Sequence, residues 1–195
     1  MKNLLWILIG CVVAIALIVA IILLSTKKSE SRKQYKECWS DEMVWSDVES
    51  LSILSNTCNE ESVIELDLSK YPKLKSVSIG DECFMYVDEV KLIRLGKLES
   101  VCIGSKSLTR IKSDDDVDKE KDLWDQIDHN RRFYLKNCPK LRELRIGPWS
   151  FLDYSVIEIE NVDALEVIEM GELNEKSWNF YWASLELKSI LIHSE

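Results

Sequence analysis

The ten residues YPKLKSVSIG at 71–80 return almost unchanged as CPKLRELRIG at 138–147. Such a repeat constrains folding more tightly than composition does, because a unit too short to bury its own apolar side has to stack on its neighbours. Aligned on Leu74 and Leu141, two further copies stand at Leu98 (LGKLESVCIG) and Leu165 (VDALEVIEMG). Three positions after that leucine lies an aliphatic residue (Val77, Val101, Leu144, Ile168), and five after it another apolar one (Ile79, Ile103, Ile146, Met170). A glycine follows at six (Gly80, Gly104, Gly147, Gly171), so four of the six glycines in the chain share one slot. Apolar residues also stand eight before (Leu66, Val90, Phe133, Ile157), six before (Leu68, Leu92, Leu135, Ile159) and three before (Tyr71, Leu95, Cys138, Val162).

The key leucine recurs after 24 residues, then 43, then 24 again, so one unit carries an insertion. Worn copies flank the series. At the N-terminal end Met43, Trp45, Val48, Leu51 and Leu54 fill the first five slots and Thr57 replaces the glycine. At the C-terminal end Leu187, Ile190 and Ile192 align with the key leucine and the two apolar slots after it, and His193 replaces the glycine. Atypical end copies are what a stacked array requires. The alternating apolar residues on both sides of the key leucine predict two short strands per unit, each with one buried face. The glycine is expected to supply either a positive φ or a close approach to the neighbouring coil.

The phrase LxxLxIG, followed four residues after the glycine by Phe84, Leu108 or Phe151, resembles leucine-rich repeats. The 24-residue period, with a small residue before that Phe, is similar to the bacterial-surface-antigen (BspA-like) type over residues 43–193. The asparagine usual in the turn of such repeats is missing here. The resemblance implies a ligand- or protein-binding scaffold with an exposed strand face. That face would be lined by Lys75, Ser76 and Ser78; Glu99, Ser100 and Cys102; Arg142, Glu143 and Arg145; and Glu166, Val167 and Glu169. The fold class is therefore an α/β or mainly β repeat solenoid, leucine-rich-repeat-like, with an N-terminal transmembrane helix. Residues 1–26 form the anchor, 27–42 a basic juxtamembrane segment, and 43–195 the solenoid with its acidic insertion at 112–131.

The anchor rests on Leu4 to Thr26, which holds no charged residue and exceeds the roughly 20 helical residues needed to cross the hydrocarbon core. A cleaved signal peptide would have a shorter apolar region ending in small residues, whereas this one runs directly into lysines. Lys27, Lys28, Arg32, Lys33 and Lys36 follow the span and only Lys2 precedes it, so the positive-inside bias places the repeat domain in the cytosol. None of the eight asparagines begins an N-x-S/T sequon. The five cysteines beyond the span cannot all pair within one chain. Residues 37–195 carry 19 basic and 33 acidic side chains, which excludes nucleic acid as the expected partner because its phosphates would be repelled.

The insertion holds Asp114, Asp116, Asp118, Glu120, Asp122 and Asp125 at spacings near those of a calcium loop. Lys119 stands where the sharp turn needs glycine and Asp125 where a bidentate Glu must close the site, so no metal is expected. Ser113 instead caps a short helix with an acidic first turn, and Leu123, Trp124 and Ile127 form one apolar stripe that docks on the protein or a partner. Cys138 reads as core filler and Cys83 as one of a small-residue slot with Ser107 and Ser150, whereas Cys102, between Val101 and Ile103, points off the strand face. No nucleotide-binding, hydrolase or metalloprotease motif is present, and two histidines leave little for acid–base work. No catalytic residue, cofactor or metal is assigned. The expected function is a membrane-anchored, non-enzymatic protein-binding or scaffolding module. Its candidate contacts are Lys75, Ser78, Glu99, Cys102, Arg142, Arg145, Glu166, Glu169 and Trp124, where an arginine pair can grip a charged peptide bidentately. The alternative is an extracellular or lumenal adhesion receptor of opposite topology.

Overall fold

The computed structural model describes residues 32–35, 47–113, 130–172 and 177–189. In them the repeat winds into a parallel β-solenoid of about five coils. One sheet orders β1 (Arg32–Tyr35), β2 (Ser50–Ile53), β4 (Ser76–Ile79), β6 (Ser100–Ile103), β8 (Glu143–Ile146) and β10 (Val167–Met170). The other orders β11 (Ser184–Lys188), β9 (Val156–Glu160), β7 (Arg132–Lys136), β5 (Glu89–Ile93) and β3 (Glu65–Asp67). From β2 onward all neighbouring strands pair in parallel. The repeat pattern does not foretell β1, which lies in the basic segment ahead of it.

Every aligned slot becomes a column. Val77, Val101, Leu144 and Ile168 are in Cα register, as are Leu66, Val90, Phe133 and Ile157. Leu74, Leu98 and Leu141 are fully buried between the sheets, each such burial worth about 1.5–3 kcal/mol. Because the inward residues of both sheets meet, no single coil has a core of its own and coil stacking supplies the stability.

Of the two expectations for the glycine, close approach holds at all four sites, against backbone of the neighbouring coil at three and against a side chain at Gly171, where a Cβ would collide with Ser177 Cβ. A Cβ on Gly80 would lie 2.5 Å from Ser55 N, one on Gly104 2.6 Å from Asp81 N, and one on Gly147 2.6 Å from Ser105 N. Only Gly171 takes a positive φ, of 70°. The left-handed conformation is carried instead by non-glycine residues two and four positions after the glycine: Glu82 and Phe84, Lys106 and Leu108, Trp149 and Phe151. Each costs roughly 1–2 kcal/mol, offset at the second position by complete burial of Phe84, Leu108 and Phe151. These residues also stitch the corners, with Glu82 N donating to Ser105 O on the next coil (2.8 Å) and Leu108 N to Cys83 O on the previous one (2.8 Å). Paired left-handed residues interrupt any right-handed helix. Among the described residues the fold is accordingly mainly β, with a single 3₁₀ turn at Leu68–Lys70 and no α-helix.

Both worn end copies shift register. The pattern puts Leu51 in the key slot, but Leu51 pairs with Val77 and Ile53 with Ile79, which makes Val48 the key residue. The pattern likewise puts Leu187 in the key slot, but Leu187 pairs with Ile159 and Leu185 with Ile157, six and eight positions before it. The physical cause is that slots at minus six, minus three, zero and plus three are equally spaced, so a copy without its glycine can sit three or six residues away from the position the pattern suggests. The coil offsets therefore run 26, 24, 43 and 24 residues in the first sheet, read from Ser50, Ser76, Ser100, Glu143 and Val167.

No helix among the described residues is long and apolar enough to cross a membrane. The span expected at Leu4–Thr26, the acidic run from Asp114 to Asp125 and the stripe of Leu123, Trp124 and Ile127 lie outside the described residues.

Candidate functional site

Eight of the nine candidate contact residues come together on the outer face of the first sheet; Trp124 lies outside the described residues. Ser50, Ser76, Ser100, Glu143 and Val167 form one outward column, and Ser52, Ser78, Cys102, Arg145 and Glu169 a second. A third, just before the strands, runs through Glu49, Lys75, Glu99, Arg142 and Glu166, tied by backbone hydrogen bonds of 2.7–2.9 Å from each residue's N to the carbonyl of the one before. Its charge alternates in sign at every coil.

The alternation is matched by side-chain pairing. Lys75 Nζ lies 2.9 Å from Glu49 Oε2. The Arg142 guanidinium grips Glu166 bidentately, Nε to Oε1 at 3.1 Å and Nη2 to Oε2 at 2.8 Å. Arg145 pairs with both Glu143 and Glu169. Hydrogen bonding by Arg142 holds the Glu166 carboxyl below its ordinary range, and Lys75 does the same to Glu49. These pairs are solvent-exposed and contribute little stability. Their consequence is geometric, because an incoming acidic group must displace Glu166 or Glu169 to reach either arginine. Within the two strand columns the face thus divides into an uncharged part over the first three coils (Ser50, Ser52, Ser76, Ser78, Ser100, Cys102) and a mainly charged part over the last two, while the third column carries charge throughout.

Two features escape the sequence reading. The outer face of the second sheet carries a matching ladder, with Lys91 bridging Glu65 (2.7 Å) and Glu89 (2.6 Å), Lys136 bridging Glu158 and Glu160, and Lys188 beside Glu186. Alternate charged residues flanking the inward pairs at eight and six before the key leucine were the available signal. The second is a buried ionic cluster where the insertion leaves and rejoins the coil. Arg131, 1% exposed, pairs with Asp153 and donates through Nη2 to Val87 O (2.6 Å) and Met85 O (3.0 Å). Its guanidinium carbon sits 4.7 Å from the Tyr154 ring centroid, and Tyr154 donates its hydroxyl to Val87 O (2.7 Å). Arg131 Nε lies 3.3 Å from Asp88 Oδ1 but is misaligned for a hydrogen bond, and Asp153 Oδ1 has no partner. Arg110 completes the cluster, its backbone N donating to Asp153 (3.1 Å) and its guanidinium to Asp88 (2.9 Å). No sequence column marks Arg131, since the equivalent positions hold Ile64, Asp88 and Ser155.

The cysteines fall as their slots predict. Cys83, Ser107 and Ser150 form a buried ladder: Cys83 N donates to Ser107 Oγ (3.1 Å), and Ser107 N to Ser150 Oγ (3.1 Å). The Ser107 and Ser150 hydroxyls in turn donate to Gly80 O and Gly104 O, each one coil back. Cys138 is fully buried and Cys102 exposed. Burial pushes the Cys83 and Cys138 thiols up, which withholds the reactive thiolate. In the native chain a maleimide is expected to modify Cys102 within minutes while Cys58, Cys83 and Cys138 stay unmodified until denaturant is added. Peptide mapping by mass spectrometry reads this directly, and equal labelling of Cys83 and Cys102 would contradict the register of the first sheet.

Among the described residues no three His, Cys, Asp or Glu side chains converge as a metal site. Compared with family models, curated proteins and solved structures, the chain matches none.

Proposed function

We propose that this chain is a membrane-anchored scaffold whose solenoid binds a protein or peptide partner on the outer face of the first sheet. The observation that carries the reading is the in-register alignment of three outward columns over successive coils, which builds one continuous surface from residues far apart in sequence. Such surfaces suit extended protein contacts better than enclosure of a small molecule. The phrase LxxLxIG and its 24-residue spacing support kinship with leucine-rich repeats of the BspA-like type. The apolar run Leu4 to Thr26 supports the anchor, and the lysines and arginine after it support a cytosolic solenoid. The charged part of the face supplies specificity through Arg142 and Arg145, whose planar forks suit a partner's carboxylates.

Affinity capture from detergent-solubilised membranes tests this. Arg142→Glu with Arg145→Glu places like charges beside Glu166 and Glu169 and is expected to reduce partner recovery at least tenfold. Undiminished recovery would remove the strip from consideration. The solenoid should be unaffected, because both arginines are exposed and no core contact is lost.

A further inference from the structure

The two sheets end differently from how they run. Leu144, Ile146, Ile157 and Ile159 are no more than 4% exposed, yet the residues in the same slots one coil later are open to solvent: Ile168 53%, Met170 38%, Leu185 56% and Leu187 62%. These side chains point into the space between the sheets, so the described solenoid stops on a cross-section of its own core. Among the described residues β10 and β11 are also edge strands, each with one row of backbone donors and acceptors facing away from the sheet. An edge with an apolar inner face is a template for another strand.

The charge around β10 selects what that strand carries. Residues 161–172 hold four acidic side chains, Asp163, Glu166, Glu169 and Glu172, and no basic one. Elsewhere in the solenoid a charge commonly meets its opposite on the adjoining coil, as in Lys75 with Glu49, Lys91 with Glu65, Lys136 with Glu158 and Arg145 with Glu169. Glu166 and Glu169 already meet Arg142 and Arg145 on the coil before, but in the column ahead of the strands Glu99 stands between Lys75 and Arg142, and that alternation, continued one step past β10, asks for a cation on the open side of Glu166. A second copy of this end brings the same acidic rim and meets like charge.

We propose that the β10 edge is a strand-addition site for an extended partner segment in which apolar residues alternate with lysine or arginine. The apolar residues cover Ile168 and Met170 and reach across the core toward Leu185 and Leu187, while the cations meet the acidic rim. The proposal deepens the protein-binding reading above but uses a different surface, the end of the solenoid and not its face.

The test uses the full chain in a non-ionic detergent and two fluorescein-labelled peptides, Lys-Ile-Lys-Val-Lys-Ile-Lys and its counterpart with Glu for each Lys. Fluorescence anisotropy is expected to show the basic peptide binding at least tenfold more tightly, with hydrogen exchange slowing at the β10 amides and not at β4. Ile168→Asp, at a position already half exposed, is expected to abolish binding while exchange in β4 and β6 stays native. Glu166→Lys with Glu169→Lys is expected to reverse the peptide preference. Equal binding of the two peptides, or binding indifferent to Ile168→Asp, would overturn the proposal by showing attachment to detergent or to bulk negative charge. A chain that sediments as a dimer and dissociates on Ile168→Asp would assign the edge to a second copy instead. β10 amides protected before peptide is added would assign it to the chain's own residues. Partner capture lost with Arg142→Glu and Arg145→Glu but kept with Ile168→Asp would preserve the face as a binding surface while rejecting its end.

Discussion

Arg131→Met is expected to lower the stability of the solenoid by about 3–5 kcal/mol, the cost of leaving a buried ion pair with one member. The guanidinium is buried and serves four groups at once: the Asp153 carboxylate, the carbonyls of Val87 and Met85, and the Tyr154 ring. Burial alone pushes its pKa down, but Asp153 and Asp88 outweigh that and leave it raised, so it stays charged at every working pH. Methionine matches the stem of the arginine but strands Asp153, whose Oδ2 keeps only the Arg110 backbone N and whose Oδ1 has no partner at all. The Met85 carbonyl loses its Arg131 donor as well, and the Val87 carbonyl keeps only the Tyr154 hydroxyl. The double variant Arg131→Met with Asp153→Leu removes both charges and is expected to recover about half of the loss, because a buried pair is replaceable by apolar groups whereas half a pair is not. Urea unfolding followed by tryptophan fluorescence measures both. Strictly additive losses in the double variant would show that Arg131 and Asp153 do not act as a unit.

That cluster also marks where sequence reasoning stops. The coils, their inward columns and the outward position of Cys102 were legible because one period repeats the same local chemistry at Leu74, Leu98, Leu141 and Leu165. Each copy corroborates the others. Arg131 has no such support, since its burial depends on Asp88 one coil back, Asp153 22 residues on and the carbonyls of the corner at Met85 and Val87. The left-handed corners were hidden for a related reason. Pattern assigns positive φ to glycine, but stacking forces it on Phe84, Leu108 and Phe151 and leaves the glycines to solve a problem of space. The terminal copies slipped because the glycine that fixes the register is missing from both. The charged face was readable residue by residue, but the alternation of sign from Glu49 to Glu166 emerges only when coils 24 to 43 residues apart are laid side by side.

Gly104→Ala is expected to cost about 2–3 kcal/mol, the upper range for forcing one extra carbon into a packed interior. The added Cβ would lie 2.6 Å from both Asp81 N and Gly80 C, and 2.5 Å from Asp81 Oδ1. Two of these atoms are backbone and cannot swing aside. The coils cannot part to make room either, because Gly104 N donates to Ile79 O at 2.8 Å and the Asp81 carboxylate accepts Ser105 N at 2.7 Å. Separating them by the half ångström or more that a methyl group requires weakens both bonds and loosens the strand register of β4 with β6. Gly96→Ala is the control, since a Cβ there meets nothing within 4 Å and no positive φ is involved. It should leave stability unchanged or raise it by about 0.4–1 kcal/mol through the unfolded chain. The contrast isolates crowding from the general effect of replacing glycine, because both substitutions add the same atom. Unfolding midpoints for the two variants decide it, and a Gly104→Ala chain as stable as Gly96→Ala would mean that the coils at this corner stand farther apart than the stacking of the solenoid requires.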